Sequence, residues 1–430
     1  MEFFFIPGRN QALSKAELKA VCSVFLPEAN IADRGEYFTV SKTQSGEKSK
    51  SQRNQKSQST KIINDDQNDF AQRVDEAFKR TGGFTKYGVF LPEDIELHEI
   101  FHFRGKLTAS PTSKFFFGVS SYTDAVDYRE LSKFAKAVKK SLKAHDLRAA
   151  FILPKNGTEL NTAQIIHNHL LDKGFELNLF ERRSMPAGGA AQNEPALQLG
   201  LTLAVQDIAA YTHRDVNRPY ADTEMGMLPP KLARMMVNLL ALEPGSTIWD
   251  PFAGSGGIGF EALLLGYNVM LSDKSPESVV ATSENIKWLA ENYDLKNAKV
   301  NTFTFDIYDR SGTTYKKILK SNISGIVFEP YMGPPQRKVL EVKKAKTLVA
   351  ESTALLSRAF QVFNQIEHRP LKLVAVIPSY KTTHGWLTPK RKDFVHAKRW
   401  RVPKELEKQN LTWERPNSII RRNILVLERV

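Results

Sequence analysis

The residues best suited to chemistry lie in one short stretch, where a carboxylate and a glycine-rich turn follow an apolar strand. Ile248 and Trp249 end that strand, Asp250 comes next, and residues 251–259 supply the glycines. Glycine lets the backbone adopt positive φ and approach a ligand closely, and the following helix directs free N–H groups to the same place. We therefore expect a nucleotide-like ligand at the carboxyl end of this strand.

Two ligand classes fit such a turn. The spacing of Gly254, Gly256 and Gly259, with Asp273 ending the next strand, satisfies the dinucleotide fingerprint. Asp250 favours the other class, because an anion repels a pyrophosphate but attracts the cationic amine of S-adenosylmethionine (SAM). The run Asp-Pro-Phe-Ala-Gly-Ser-Gly at 250–256 resembles the SAM-binding motif of class I methyltransferases, especially those that act on exocyclic amines of nucleobases.

The elements around this turn alternate between strands and helices, which predicts a mainly parallel, doubly wound α/β sheet. Asp250, Asp273 and Asp306 each follow an apolar run that is typical of a buried strand. A carboxylate in the place of Asp273 typically bridges two ribose hydroxyls. Asp306 would accept a hydrogen bond from the adenine amine, although capping a helix explains an aspartate here equally well.

A second candidate site follows the next strand, at residues 325–328, and consists of Glu329, Pro330 and Tyr331. An exocyclic amine is hard to methylate because its lone pair is delocalised into the ring. An acceptor side chain and rigid carbonyls can hold the N–H groups, while an aromatic ring stacks on the base. The familiar motif is Asp/Asn-Pro-Pro-aromatic, so Glu329 departs from it, and a structural turn of proline and glycine is the alternative.

Composition limits the classes of function. The 430 residues predict two or three domains, and the net charge of +14 favours a polyanionic partner. The single cysteine, Cys22, excludes a disulfide framework. The apolar run at 3–6 is too short for a signal peptide and no apolar stretch approaches a membrane span, so we expect a cytoplasmic protein.

Two basic regions are candidate RNA contacts. The first is one face of a helix predicted over 131–144, and the second is a loop region near residues 388–401 that also carries aromatic side chains for stacking. An ordinary solvated surface is the alternative explanation in both places. The predicted RNA-binding residues are Lys136, Lys139, Lys140, Lys143, Arg391, Lys398 and Arg399.

Several local patterns allow further expectations. Ser14 and Glu17 form a capping box for an N-terminal helix, and a helix running from residue 161 to about residue 173 is expected. Residues 98–102, His-Glu-Ile-Phe-His, match a zinc-protease pattern, but no third ligand follows and a half-buried strand fits equally well. We therefore predict no metal.

The chain as a whole resembles the THUMP-containing tRNA guanine methyltransferases. The resemblance covers nearly the whole chain except a polar insertion, residues 42–69. The stretches that carry it are residues 4–10, 82–83, 205–207, 214–215, 218–219 and 226–230, the SAM motif, and 418–422. Within them, Arg214, Asp215 and Arg218 would form an ion network between domains or contact substrate.

The resemblance implies four segments. Residues 1–95 would form a ferredoxin-like domain, 96–183 a THUMP-like RNA-binding domain, 184–220 a linker, and 221–430 a class I methyltransferase domain with a Rossmann-like sheet. By this resemblance the cofactor SAM is bound by Asp250, Pro251, Phe252, Gly254, Gly256, Asp273 and Asp306. Glu329, Pro330 and Tyr331 would orient the base as the catalytic residues.

The implied activity is SAM-dependent methylation of the N2 amine of a guanosine in tRNA, at position ten at the base of the D-arm. Some members of the family need a small activating subunit. Two alternatives stay open at this point. The chain could be a methyltransferase acting on an amine of ribosomal RNA or DNA, or a non-catalytic RNA-binding protein whose methyltransferase fold has degenerated.

Overall fold

The computed structural model describes residues 1–43, 65–100, 114–182, 196–220, 227–295 and 297–430. Most of the predicted polar insertion and residues 184–195 of the predicted linker lie outside the described residues. Contacts between Cα atoms divide the chain into two compact units, and each unit combines segments that are distant in sequence. The first unit contains Met1–Gly8, Glu28–Phe78 and Phe84–Ile208, and the second contains Arg9–Pro27, Lys79–Gly83 and Ala209–Val430.

The strands of the two units follow one another along the chain. Those of the first unit are β1 (Glu2–Pro7), β2 (Ala29–Asp33), β3 (Phe38–Lys42), β4 (Phe84–Phe90), β5 (Phe115–Tyr122), β6 (Ala149–Ile152), β7 (Phe175–Glu181) and β8 (Leu197–Val205). Those of the second are β9 (Thr247–Asp250), β10 (Asn268–Asp273), β11 (Val300–Thr304), β12 (Gly325–Phe328), β13 (Lys372–Thr382), β14 (Gly385–Leu387), β15 (Trp400–Arg401), β16 (Thr412–Trp413) and β17 (Ile420–Arg429).

Ten helices among the described residues complete the elements used below. They are α1 (Gln11–Phe25), α2 (Asp65–Arg80), α3 (Tyr128–Ala144), α4 (Thr162–His167), α5 (Ile208–Val216), α6 (Pro230–Asn238), α7 (Gly257–Leu264), α8 (Pro276–Asn292), α9 (Thr313–Lys320) and α10 (Val342–Phe363). In the described part of the chain, no helix combines the length and apolar character needed to cross a bilayer.

The first unit is built on one mixed sheet in the order β2-β3-β1-β4-β8-β7-β5-β6. A buried ion pair lies within it, between the Lys86 ammonium and the Glu176 carboxylate at 2.7 Å. The hydroxyls of Ser120 and Thr202 also donate to Glu176, so its buried charge has several hydrogen-bond partners. The strands of both segments predicted at 1–95 and 96–183 share this sheet; a THUMP-like division stays a prediction.

The second unit has a mainly parallel sheet in the order β11-β10-β9-β12-β13-β17-β15. Strands β9 to β13 run parallel, and β17 pairs antiparallel with β13 along its length. The α/β class predicted from the alternating pattern is therefore confirmed. Because β10, β9 and β12 are neighbours, the residues after their carboxyl ends meet at one edge of the sheet.

Two local predictions are wrong. Helix α1 begins at Gln11, and Ser14 lies inside it, where its hydroxyl donates to the carbonyl of Gly83 at 2.8 Å. Glu17 closes no capping box; its carboxylate accepts the N–H groups of Gly82 at 2.7 Å and Gly83 at 2.8 Å. The S-x-x-E pattern thus serves a tertiary contact. Helix α4 also ends at His167, well before residue 173, because turns replace the helix from there.

Glu17→Ala is expected to destabilise the protein by about 2–4 kcal/mol, because it leaves several buried donors without an acceptor. Besides the two glycine N–H groups, the Asn238 side-chain amide donates to the same carboxylate at 2.8 Å. Urea denaturation of the full chain measures the effect. Glu291→Ala, at an exposed helical position, is the matched control; equal midpoints for the two variants would contradict the assignment.

Candidate active site

Three carboxylates meet at the carboxyl edge of the parallel sheet. Asp250 ends β9, Asp273 ends β10, and Glu329 follows β12. The turn after β9 is tied to the neighbouring strand, because the Gly254 N–H donates to the Asp273 carboxylate at 3.0 Å. This arrangement places the strand ends predicted from the sequence side by side.

The backbone between β9 and α7 forms an open turn. Gly254 has φ +54° and Gly256 has φ +87°, values that favour glycine. A Cβ on Gly254 would meet nothing within 4 Å, so the backbone there borders open space. The Thr282 hydroxyl donates to the Gly254 carbonyl at 2.7 Å and holds the turn in place. A ligand can therefore approach this main chain closely.

Asp250 is a buried acid, 2% exposed. Burial raises the pKa of its carboxyl well above the ordinary value, and Asp273 and Glu329 raise it further, while the N–H of Phe252 opposes them. That N–H donates to the carboxylate at 3.0 Å. No basic side chain of the described residues forms an ion pair with Asp250. A cationic ligand group would supply the missing partner and favour the ionised form.

The remaining predicted cofactor residues differ in their surroundings. Pro251 is buried, and the ring of Phe252 packs against Phe328 with centroids 5.3 Å apart. Asp306 is exposed after β11, and its carboxylate accepts the Tyr308 N–H at 2.9 Å. It does not cap α9, whose N-cap is Gly312. A local turn thus explains Asp306, and its contact with the cofactor stays a prediction.

Glu329 has a partner that the sequence did not indicate. The guanidinium of Arg422, on β17, donates to both carboxylate oxygens, with Nε–Oε1 at 2.6 Å and Nη2–Oε2 at 3.3 Å. Burial raises the pKa of Glu329 above its ordinary value, and the Arg422 guanidinium offsets part of that rise. The pair is 93 residues apart in sequence. The only feature of the sequence that could have indicated this ion pair is a basic residue on the last strand.

The loop after Glu329 has a backbone held by a hydrogen bond and an aromatic side chain exposed to solvent. The hydroxyl of Tyr380 donates to the Met332 carbonyl at 3.1 Å, and Gly333 has φ +88°. Pro330 is buried, whereas Tyr331 is 54% exposed. The loop therefore combines a fixed backbone with an aromatic ring that a planar group can reach.

The two basic regions have different structures. All four predicted lysines of α3 are exposed, and Leu131, Ala135, Val138 and Leu142 form its buried face. Arg391, Lys398 and Arg399 are exposed in the second unit, although Arg399 donates to the Asn364 carbonyl at 3.1 Å. Trp400 is 2% exposed, with its indole N–H bonded to the Asn364 side chain. This tryptophan is a core residue and does not provide a stacking surface.

The zinc-protease pattern does not form its usual cluster among the described residues, since Phe101 and His102 lie outside them. His98 instead lies near Glu96 and His145, with potential ligand atoms within 4.8 Å of one another. The two imidazoles stack at 3.7 Å with an interplanar angle of 13°. Because their ring planes are nearly parallel, the in-plane lone pairs do not converge on one ion. We assign no metal here.

Comparison with known proteins identifies a matching family and several relatives. Residues 218–311 match the UPF0020 family, described as an RMKL-like methyltransferase domain. A tRNA (guanine(10)-N2)-dimethyltransferase of Methanothermobacter thermautotrophicus is 47% identical over 62 residues, or 14% of this chain and 18% of that protein. The protein of the same name from Methanocaldococcus jannaschii is 31% identical over 131 residues, which are 30% of this chain and 36% of that protein.

The chain thus matches 18% of the length of the first relative and 36% of the length of the second. Among solved structures, TrmN from Thermus thermophilus is 14% identical with a TM-score of 0.46, and the alignment covers 100% of both chains. The family match includes the glycine turn with Asp250, Asp273 and Asp306, but not Glu329. Residues 218–311 are thus similar to the RMKL-like methyltransferase domain family, and the resemblance of the chain to tRNA guanine-N2 methyltransferases is confirmed.

Proposed function

We propose that this protein is a SAM-dependent tRNA methyltransferase that modifies the N2 amine of a guanosine, at position ten at the base of the D-arm. The observation that carries the proposal is the placement of buried Asp250, which has no ion-pair partner among the described residues, beside an open glycine turn and next to the loop that begins at Glu329. The names of the relatives support tRNA and position ten.

The turn fits SAM because it offers open backbone and an acid that no basic side chain in the described part of the chain neutralises. SAM, when bound, supplies a methyl group on a positively charged sulfur. Asp250 would face the ammonium group, and Asp273 would accept the ribose hydroxyls. Pro251, Phe252, Gly254 and Gly256 would shape the wall of the site, and Asp306 would reach the adenine amine.

The loop residues would orient the base. Arg422 donates to both oxygens of the Glu329 carboxylate, and each oxygen retains a lone pair for a further hydrogen bond. Glu329 would accept one N2–H of guanine and the Pro330 carbonyl the other, with Tyr331 stacked on the ring. Fixing both N–H groups aims the nitrogen lone pair at the methyl donor. Glu329 or water would take up the proton that the amine loses when it receives the methyl group.

Transfer of label from methyl-labelled SAM to unmodified total tRNA tests the proposal, with nucleoside analysis of the product. We expect label in N2-methylguanosine or its dimethyl form, and none in duplex DNA. Label in ribosomal RNA alone, or in another nucleoside, would contradict the proposed substrate. If purified protein binds SAM without turnover, adding cell extract distinguishes a missing activating subunit, which restores activity, from an inactive catalytic loop.

SAM affinity is expected to rise with pH as Asp250 loses its proton. Burial raises the pKa of this carboxyl, so it is neutral at low pH and offers no charge to an ammonium group. Binding favours the ionised form and therefore releases a proton, which calorimetry in two buffers from about pH 5 to about pH 8 detects. Wild-type protein that binds SAM across this range without releasing a proton would contradict the assignment.

Asp250 also determines how the stability of the free protein changes with pH. Because the folded-state pKa of Asp250 lies above its unfolded value, the stability it contributes is present at low pH. That contribution is lost as pH rises through the folded-state pKa. Thermal midpoints of wild type and Asp250→Asn without SAM should therefore separate in favour of the variant as pH increases.

Removing lysines from α3 is expected to weaken tRNA binding. Exposed lysines that contact phosphates release counterions, so each lost contact lowers the slope of log K against log salt by roughly 0.7–0.9. The test variant is Lys136→Ala with Lys140→Ala and Lys143→Ala, measured by tRNA binding at several salt concentrations. Lys316, Lys317 and Lys320, exposed on α9, are the charge-matched control. Equal slopes for the two triple variants would exclude α3 from the interface.

A further inference from the structure

Arg218 lies beside the glycine turn of the second unit. It follows α5 and is 6% exposed. Two residues later, the Tyr220 N–H donates to the Asn285 side chain at 2.9 Å. The amide of Asn285 in turn donates to the carbonyl of Ser255, inside the turn, at 2.9 Å. One side chain on α8 therefore joins the segment around Arg218 to the backbone of the turn.

The guanidinium lies at the first turn of α7. Its Nη1 is 3.7 Å from the point that a Cβ on Gly257 would occupy, and its Cζ is 6.0 Å from the ring centroid of Phe260. Gly257 is the first residue of α7. The free N–H groups and dipole at this end of the helix favour an anion, and the guanidinium adds a full positive charge to the same place.

This charge has no acidic partner among the described residues. The Nε of Arg218 is buried without a hydrogen-bond partner, and Nη2 contacts the sulfur of Met227. Burial lowers the pKa of Arg218, and the more distant Asp215 opposes the change. A buried guanidinium without a paired acid is costly, so its presence here indicates a ligand.

The neighbouring arginines show the contrast. Arg214 and Arg234 both donate to the carboxylate of Glu261, with nitrogen–oxygen distances of 2.7 Å and 2.6 Å. The sequence suggested an ion network between domains for Arg214, Asp215 and Arg218, whereas the observed pairs join Arg214 and Arg234 to Glu261, all within the second unit. Arg218 takes no part in these pairs. Arg218 is packed against its neighbours and its Nε–H has no acceptor, and no carboxylate of the described residues neutralises its charge.

We propose that Arg218 positions the cofactor by binding the carboxylate of the methionine moiety of SAM. The inference rests on the proposed function, because it requires SAM in the glycine turn. Asp250 stands before the turn and Arg218 beside its end at Gly257. The turn would thus match a zwitterion, with an acid for the ammonium group and a guanidinium for the carboxylate.

The consequence is selectivity for the intact amino-acid moiety. A ligand with the same adenosine, sulfonium and amine but no carboxylate would leave the Arg218 charge buried and unpaired. Decarboxylated SAM is such a ligand, and it isolates the proposed contact from every other contact with the cofactor. The wild-type protein is expected to bind it roughly 10- to 100-fold more weakly than SAM, as for loss of a charge-assisted hydrogen bond.

Calorimetric titration of the full chain with SAM and with decarboxylated SAM tests the proposal. Arg218→Ala should lose about 10- to 100-fold in affinity for SAM, and its affinity for decarboxylated SAM should stay near the wild-type value. Arg218→Lys should retain part of the preference because it keeps a charge. Arg401→Ala, at an exposed surface arginine, should change neither affinity.

The outcomes separate the inference from the function it rests on. If Arg218→Ala weakens both ligands equally, or neither, while wild type binds SAM, Arg218 has a structural role only and the inference is wrong. If wild type binds neither ligand, the proposed function fails with it. Thermal midpoints identify any unfolded variant. If Arg218→Ala is unfolded, two measurements still test the proposal: the affinities of Arg218→Lys, and those of the wild-type protein for SAM and decarboxylated SAM. Equal wild-type affinities for the two ligands would overturn the proposal.

Discussion

Asp250→Ala is expected to abolish measurable SAM binding, with a loss of about 3 kcal/mol, or more than roughly 100-fold in Kd. The carboxylate is buried, and no cation of the described residues neutralises it. Its favourable interaction with an ammonium group is therefore made with the ligand and lost with the side chain. Calorimetry on the full chain measures the affinity directly, without relying on turnover.

The same substitution separates binding from folding. Removing a buried acid that Asp273 and Glu329 repel relieves an unfavourable interaction in the free protein. We therefore expect the thermal midpoint without SAM to be unchanged or higher while affinity falls. Glu291→Gln is the control, because that carboxylate is exposed on α8 and has no part in the proposed site. An Asp250→Ala protein that binds SAM like wild type would remove the central observation behind the proposed function.

Glu329→Ala is expected to lower methyl transfer by roughly 100- to 1,000-fold, as for loss of one fixed hydrogen-bonding group at the reacting atom. SAM binding should be retained, since Glu329 orients the base in the proposed mechanism. Single-turnover methyl transfer to tRNA, with SAM affinity measured in parallel, separates the two effects. Full activity of Glu329→Ala would disprove the catalytic assignment.

The ion pair with Arg422 allows a sharper version of this test. Glu329→Ala leaves the Arg422 charge half-buried without its partner, whereas Glu329→Gln keeps the volume and one acceptor oxygen. Combining Glu329→Gln with Arg422→Ala gives a double-mutant cycle for the pair. If Arg422 only keeps the carboxylate ionised, its removal should lower the rate of wild type and change the rate of Glu329→Gln little.

The carboxyl edge of the parallel sheet was predictable because each of its parts is local. An apolar strand, an acid at its end and a glycine turn occur within about a dozen residues, and parallel pairing brings successive strand ends together. Asp250 and Asp273 therefore lie where the pattern indicates, on neighbouring strands. The amphipathic face of α3 was predictable for the same reason, since helical periodicity is a local property.

Contacts between distant segments were not predictable from one sequence. The position of β17 beside β13 places Arg422 on Glu329, but the sequence left the pairing of the closing strand open. Glu17 shows a different limit, because a local capping pattern and a tertiary contact require the same residues. Trp400 lies in the basic region that the sequence offered for stacking on RNA, yet it is buried, because an aromatic residue among basic ones suits a core edge equally well.

Because the second unit includes segments from near the start of the chain, it limits where the protein can be truncated and affects when that unit can fold during synthesis. Leu13 and Ala16 of α1 pack in the same core as Leu232 and Leu263, far along the chain. A fragment starting after residue 208 would lack that helix and the Lys79–Gly83 segment, and would expose the apolar surface they cover. During synthesis, α1 emerges long before its packing partners. A split or circularly permuted gene should keep residues 9–27 covalently joined to the C-terminal part, or supply them in trans.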